Sequence, residues 1–200
     1  MMGKTHLAVG IASALLVAQP KTLTGCAVSV IGGAIGGTLS DVDLFDQENH
    51  HALKGQLLGV GLAILVFVLD RWLELGLFAK MLNPDRGMAS VSGIAFAVLW
   101  ILGVKSAHRS FTHSILGLIL FSFVIKLLFP SMALSFSAAF VSHLILDFLN
   151  KKDLRLFYPL RTGVSLGLCY ADRWANQVFL RLGTVLSVVL LIHSILGSIL

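Results

Sequence analysis

Several short polar stretches in this chain hold residues that could bind a cation. In "SHLILD", His143 and Asp147 stand four apart. On a helix that spacing places both side chains on one face, close enough to share a ligand. An ionisable pair within a membrane segment is costly and marks a functional site. The plainer alternative is an aspartate that only orients a structural histidine. Asp41 and Asp43 end another apolar run in "SDVD". Two carboxylates this close repel unless a cation or proton lies between them, although a solvated loop start would also account for them. In "HRSFTHS", His108 and His113 flank hydroxyls, and Thr112 or Ser110 is expected to cap the following helix. Arg109 could hold a phosphate bidentately or serve as a basic anchor at the membrane. His6 stands just before the first apolar run, where a lone histidine is ordinarily interfacial.

Imidazole nitrogen and carboxylate oxygen together suit zinc, with manganese or iron as alternatives, better than calcium or magnesium. The candidate metal ligands are His6, Asp41, Asp43, His108, His113, His143 and Asp147. They exceed the needs of one tetrahedral ion. Two-metal hydrolytic sites, with ions about 3.5–4 Å apart, use mixed ligands in such numbers, so one or two ions are expected. The implied chemistry is attack of a metal-activated water on a phosphorus or carbonyl centre. Arg109 would hold the substrate, and Asp43 or Asp147 would act as general base.

These residues need a scaffold, and composition points to a membrane. The chain is 56% apolar and 12% charged, whereas soluble domains hold roughly 45–50% and about 25%. Mean hydropathy is +0.90. Apolar runs occupy approximately 7–19, 23–39, 56–79, 89–105, 113–130, 132–149 and 178–200, broken at Pro20, Pro84 and Pro130. A spanning helix needs about 20 residues. The expectation is an all-α, polytopic bundle of about 6–7 membrane helices, including a short N-terminal hairpin, forming one domain over residues 1–200. The third run carries Asp70, Arg71 and Glu74 near its end, as an interfacial helix would.

If each run crosses once, all seven candidate ligands fall at the face that carries the N-terminus. That face also holds Lys4, Lys54, Lys105, Arg109, Lys151, Lys152, Arg155, Arg161 and Arg173, against Lys21, Arg71, Lys80, Arg86 and Lys126 opposite. The bias makes the ligand face cytoplasmic.

Other features carry less. The net charge of +5 is dispersed in short loops and fits anionic headgroups rather than nucleic acid. Cys26 and Cys169 lack the spacing of a disulfide framework or thiolate zinc site. "GGAIGG", Gly32 to Gly37, lacks a phosphate-loop lysine and strand context, and is read as helix packing. His50 and His51 are read as loop residues and His193 as packing. The N-terminal run lacks a convincing cleavage site and is read as a retained helix.

The ordered set of early Thr-His, Asp-x-Asp, His-Arg-x-x-Thr-His-Ser and Ser-His-x-x-x-Asp resembles the bacterial LexA-regulated, membrane-bound metal-dependent hydrolases. The resemblance covers roughly residues 1–165. It implies the same seven metal-site residues, an inner-membrane location and phosphoester hydrolysis. Ser40 stands where that family often has a proline, which alters the turn but not the ligands. "FYPLR", residues 157–161, matches the family's aromatic-proline pair and is read as an interfacial anchor or lid. The expected function is metal-dependent hydrolysis of an ester or phosphoester, in a membrane lipid, at the cytoplasmic face. A metal-ion or proton-coupled transporter and a non-catalytic, metal-stabilised module are the competing readings. Transport sites usually lie at the midplane of repeated halves, and no repeat is visible here.

Overall fold

The structure is a computed structural model and describes residues 1–44, 65, 68, 70, 72–74, 76–170 and 173–199. Its helices are α1 (Gly3–Ala18), α2 (Leu23–Leu39), α3 (Leu77–Met81), α4 (Arg86–Val104), α5 (Ile115–Leu128), α6 (Ala133–Phe148) and α7 (Trp174–Ile199). Two 3-10 turns, Ser40–Leu44 and Phe111–His113, lie ahead of the loops that follow α2 and ahead of α5. Among the described residues the fold is all-helical, apart from isolated bridges at Asn150–Cys169 and Leu154–Val164.

Local sequence sets the helix limits. The Thr22 side chain accepts a hydrogen bond from Gly25 N at 3.0 Å and starts α2. Asp85 does the same for Met88 N at 3.0 Å and starts α4. At the end of α1, Gln19 turns left-handed at φ 43° and Pro20 follows.

Within lipid, helices gain little from hiding apolar surface, so close packing must hold them together. The glycine cluster supplies that packing on two sides of α2. A Cβ at Gly33 would lie 2.7 Å from Ile11 Cα, and one at Gly37 would lie 2.6 Å from the His6 carbonyl oxygen, both on α1. A Cβ at Gly32 would meet Met132 at 2.8 Å, and one at Gly36 would overlap the Phe136 carbonyl. Gly33 and Gly37 thus face α1, while Gly32 and Gly36 face α6. The expected packing role of this cluster is what the structure shows.

Three stretches are long and apolar enough to cross a membrane: Leu23–Leu44, Arg86–Val104 and Trp174–Gly197. The first is 67% buried within the protein, the second 17% and the third 6%, so α2 is interior while α4 and α7 turn outward. The apolar helices α1, α5 and α6 have 16, 14 and 16 residues. At 1.5 Å per residue they reach about 21–24 Å, short of the roughly 30 Å hydrocarbon core. An aromatic cluster of Phe96, Phe111, Phe121, Phe136 and Phe140 joins α4, α5 and α6 to the turn that precedes α5.

The run boundaries expected from sequence shift in two places. α1 begins at Gly3, which puts His6 inside the helix rather than ahead of it. α5 begins at Ile115, because the turn at 111–113 intervenes. Most of the third apolar run, with Lys54, His50 and His51, lies outside the described residues.

Candidate metal centre

All seven candidate ligands come together at one end of the bundle. α1 delivers His6, the turn after α2 delivers Asp41 and Asp43, the loop before α5 delivers His108 and His113, and α6 delivers His143 and Asp147. Small side chains let those elements meet. A Cβ at Gly103 of α4 would approach both Val42 and Thr112 to 2.9 Å, so only glycine lets both turns close in.

His113 Nε2 and His143 Nε2 are 3.3 Å apart. Asp41 Oδ1 lies 3.7 Å from each of them. Asp147 Oδ2 lies 3.5 Å from His113 Nε2 and 3.9 Å from His143 Nε2. His6 Nε2 is 3.3 Å from the other Asp147 oxygen. The His6 and His143 rings stack at 3.7 Å between centroids. His6, His113 and His143 are at most 1% exposed.

Hydrogen bonds fix how these imidazoles face one another. His143 Nδ1 is 2.8 Å from the Gly37 carbonyl oxygen, which only accepts, so that nitrogen bears the proton. His113 Nδ1 is 3.1 Å from Asp43 Oδ2 and 3.2 Å from Thr112 Oγ1. With Nδ1 so engaged, each ring turns its Nε2 into the cluster, where it offers a lone pair whenever the ring is neutral. Two lone pairs at this separation, among buried carboxylates, require a cation or a proton between them. Both ring nitrogens of His6 are buried; among the described residues Nδ1 has no hydrogen-bond partner and Nε2 has only the Asp147 contact given above. A buried imidazole so sparsely bonded fits a metal ligand. Three overlapping groups have the spacing to hold an ion: His6, His143 and Asp147; Asp41, His113 and His143; Asp43, His108 and His113.

Burial alone would lower the pKa of His113, in the turn ahead of α5. The negative charge of Asp43 and hydrogen bonds to Asp147, Asp41 and Asp43 overcome this and hold it well above the ordinary histidine value.

Asp43 is held by hydrogen bonds on both oxygens. Its Oδ1 lies 3.0 Å from His108 Nδ1, and its Oδ2 accepts from Arg109 N and Thr112 Oγ1, each at 3.0 Å. Arg109 adopts φ 61°, a left-handed conformation uncommon outside glycine. Its Nη1 donates to the Lys152 carbonyl at 2.5 Å and its Nη2 lies 3.4 Å from Asp147 Oδ2, while Nε has no partner in the protein. The expected cap of the helix after His113 is corrected. Ser114 caps α5 by accepting from Gly117 N at 3.0 Å. Thr112 instead bonds Asp43, and Ser110 donates to the Ala107 carbonyl. The intervening 3-10 turn moves the helix start past both residues.

Sequence reasoning missed Asn176. Its Oδ1 accepts from Thr5 Oγ1 at 2.8 Å and from Met2 N at 3.0 Å, tying the foot of α7 to the residues beside His6. Its signal was a polar residue beside the last apolar run, but that run was read from 178 while α7 begins at Trp174. His193, read as packing, is exposed and lines a groove beside Leu15 and Gln19.

An all-helical set of described residues, with long apolar helices turned outward and a buried His/Asp cluster at one end, has the make-up of an integral membrane protein. The chain belongs to the YdjM inner membrane protein family. The family model matches residues 1–199. No curated protein and no solved structure matches the chain. The family places the chain in the inner membrane and bears on neither an activity nor a metal.

Proposed function

We propose that the cluster binds a divalent transition metal ion and that the protein hydrolyses an ester or phosphoester bond of a membrane lipid at the cytoplasmic face. The observation that carries this reading is the meeting of His113 Nε2 and His143 Nε2 with Asp41 Oδ1 and Asp147 Oδ2 at the separations given above. A tetrahedral zinc site with bonds of about 2.0–2.1 Å has edges of roughly 3.3–3.5 Å. The separations of 3.3–3.9 Å come close to those edges. When bound, such an ion supplies a Lewis acid and lowers the pKa of a water molecule toward neutrality.

The protein's own residues would prepare the site. Gly37 and Asp43 hold the tautomers of His143 and His113, leaving Nε2 of each for the ion. His6 stacks on His143 and offers a further nitrogen. Asp43, its oxygens committed to hydrogen bonds, acts as the orienting carboxylate in this reading, and one ion satisfies the remaining donors. Arg109 lies beside Asp147 with Nε unpaired, placed to meet a phosphate oxygen. The lipid substrate and cytoplasmic face rest on the basic bias of the loops at the ligand end.

Metal content of full-length protein, purified in detergent without chelators, tests the first part. One zinc, manganese or iron ion per chain is the expected result, with loss of the ion and of turnover on a phospholipid panel in His143→Ala. Absence of metal from the parent overturns the site. A metal-loaded parent that cleaves no lipid but moves ions across liposomes would replace hydrolysis with transport.

A further inference from the structure

The segment between α6 and α7 makes a second surface at the ligand end. It is fastened directly onto the loop that carries Arg109. Arg155 N donates to the Arg109 carbonyl at 2.9 Å, and Ile115 N donates to the Leu156 carbonyl at 3.0 Å. Leu154 is fully buried and pairs with Val164 through backbone hydrogen bonds of 2.9 and 3.0 Å.

The outer side of this segment combines two kinds of residue. Phe157, Leu160, Leu166 and Leu168 are exposed, Leu168 by 72%. Between positions 151 and 173 lie Lys151, Lys152, Arg155, Arg161 and Arg173 against Asp153 and Asp172. Exposed leucines would be out of place in bulk water, and a basic cluster would be out of place in hydrocarbon. Both are accommodated where acyl chains meet headgroups.

The level of the membrane is set by α7. Its apolar stretch starts at Trp174, which is 74% exposed. Tryptophan at the end of an apolar span marks the headgroup region. The preceding segment therefore lies at that level. Within it, Lys151 Nζ and Arg173 Cζ lie 4.4 and 4.5 Å from the centre of the Tyr170 ring. Tyr170 thus holds two cations at one exposed ring, Lys151 also donating to its hydroxyl at 3.1 Å, and a phosphate beside them would supply the counter-charge.

We propose that the segment from Lys151 to Tyr170, with Arg173 and Trp174, binds the headgroup of an anionic phospholipid, Lys151 and Arg173 gripping the phosphate while the exposed leucines enter the acyl layer. The surface narrows the lipid class offered to the site proposed above, but its binding requires no hydrolysis. An acidic soluble partner would match the charge and leave the exposed leucines and their membrane level without explanation.

The test uses delipidated full-length protein in detergent, titrated with phosphatidylglycerol or phosphatidylcholine and read by native mass spectrometry. Phosphatidylglycerol should bind at least about tenfold more tightly, since each basic residue near an anionic surface contributes roughly fivefold. Lys151→Gln with Arg173→Gln should remove most of that preference and leave metal content unchanged, which shows the site still folded. His143→Ala should keep the preference, so failure of the hydrolase reading is distinguishable. Equal binding of both lipids overturns the proposal, as does an unchanged preference in the double variant. Displacement by inorganic phosphate or by an acidic peptide at the same concentration as the lipid also overturns it.

Discussion

Asp43 accepts from the Arg109 amide and the Thr112 hydroxyl while facing His108 and His113. In the one-ion reading proposed above, that suits it to fixing His113. Asp43→Asn should therefore keep the fold and weaken metal binding about 10–100-fold, the usual effect of losing an orienting partner. A chelator competition titration measures this. Complete loss of metal, equal to that in His143→Ala, would instead restore Asp43 as a ligand. His113 supplies the pH dependence. Its pKa is raised, so near neutral pH the ring holds a proton that a metal must displace. Affinity should rise with pH, about tenfold per unit for one displaced proton, until the raised pKa is passed. The same titration repeated from pH 5.5 to 8 (roughly the range in which histidine charge is in play) checks the sign. A flat profile would mean that His113 binds no ion. The residue types and spacings made these groups legible as candidate ligands that meet at one end. The four-contact environment of Asp43 was not legible, because it depends on the left-handed turn at Arg109 and on the loop before α5 meeting the turn after α2.

The helices place those residues through contacts that lack any ligand chemistry. Gly37 is the clearest case, since it receives the His6 carbonyl and offers its own carbonyl to His143. Gly37→Ala should push α1 away, lower metal affinity through His6 and cost about 1–3 kcal/mol of packing. Gly93→Ala on α4, where a Cβ would meet nothing within 4 Å, should leave metal content and thermal stability unchanged. Metal analysis and thermal unfolding of both variants in detergent provide the comparison, and equal behaviour would remove the glycine seam from the account of the site. That the glycines pack helices could be read from their four-residue spacing. Which neighbour each pair meets could not, because Gly32 and Gly36 differ from Gly33 and Gly37 only by one step around α2. The latch from Asn176 to Thr5 was hidden for a related reason: it joins residues 171 positions apart and shows no motif.

At the scale of the whole molecule, the helix ends separate into two groups. One end holds the start of α1, the turn after α2, the turn before α5, the end of α6 and, through Asn176, the start of α7. At the other end, Asn83 Nδ2 donates to the Leu127 carbonyl at 2.8 Å, and Pro20, Thr22, Lys80, Ser131 and Leu134 surround one cavity. This partition follows the alternation of apolar runs, which is why seven candidate ligands distributed along the chain could be assigned to one end from sequence. The direction of that face in the membrane rests on the basic-residue bias alone. Single cysteines can decide it in a background carrying Cys26→Ala and Cys169→Ser. Lys152→Cys sits on the exposed segment beside the site, and Arg86→Cys sits at the opposite end while sparing the Asp85 cap of α4. Lys152→Cys should resist a membrane-impermeant maleimide in intact cells and react in inside-out vesicles, with the reverse pattern at Arg86→Cys. Labelling of both from one side would contradict the fold. Opposite labelling with the two patterns exchanged would keep the fold and put the metal site outside, where a cytoplasmic lipid leaflet could no longer be its substrate.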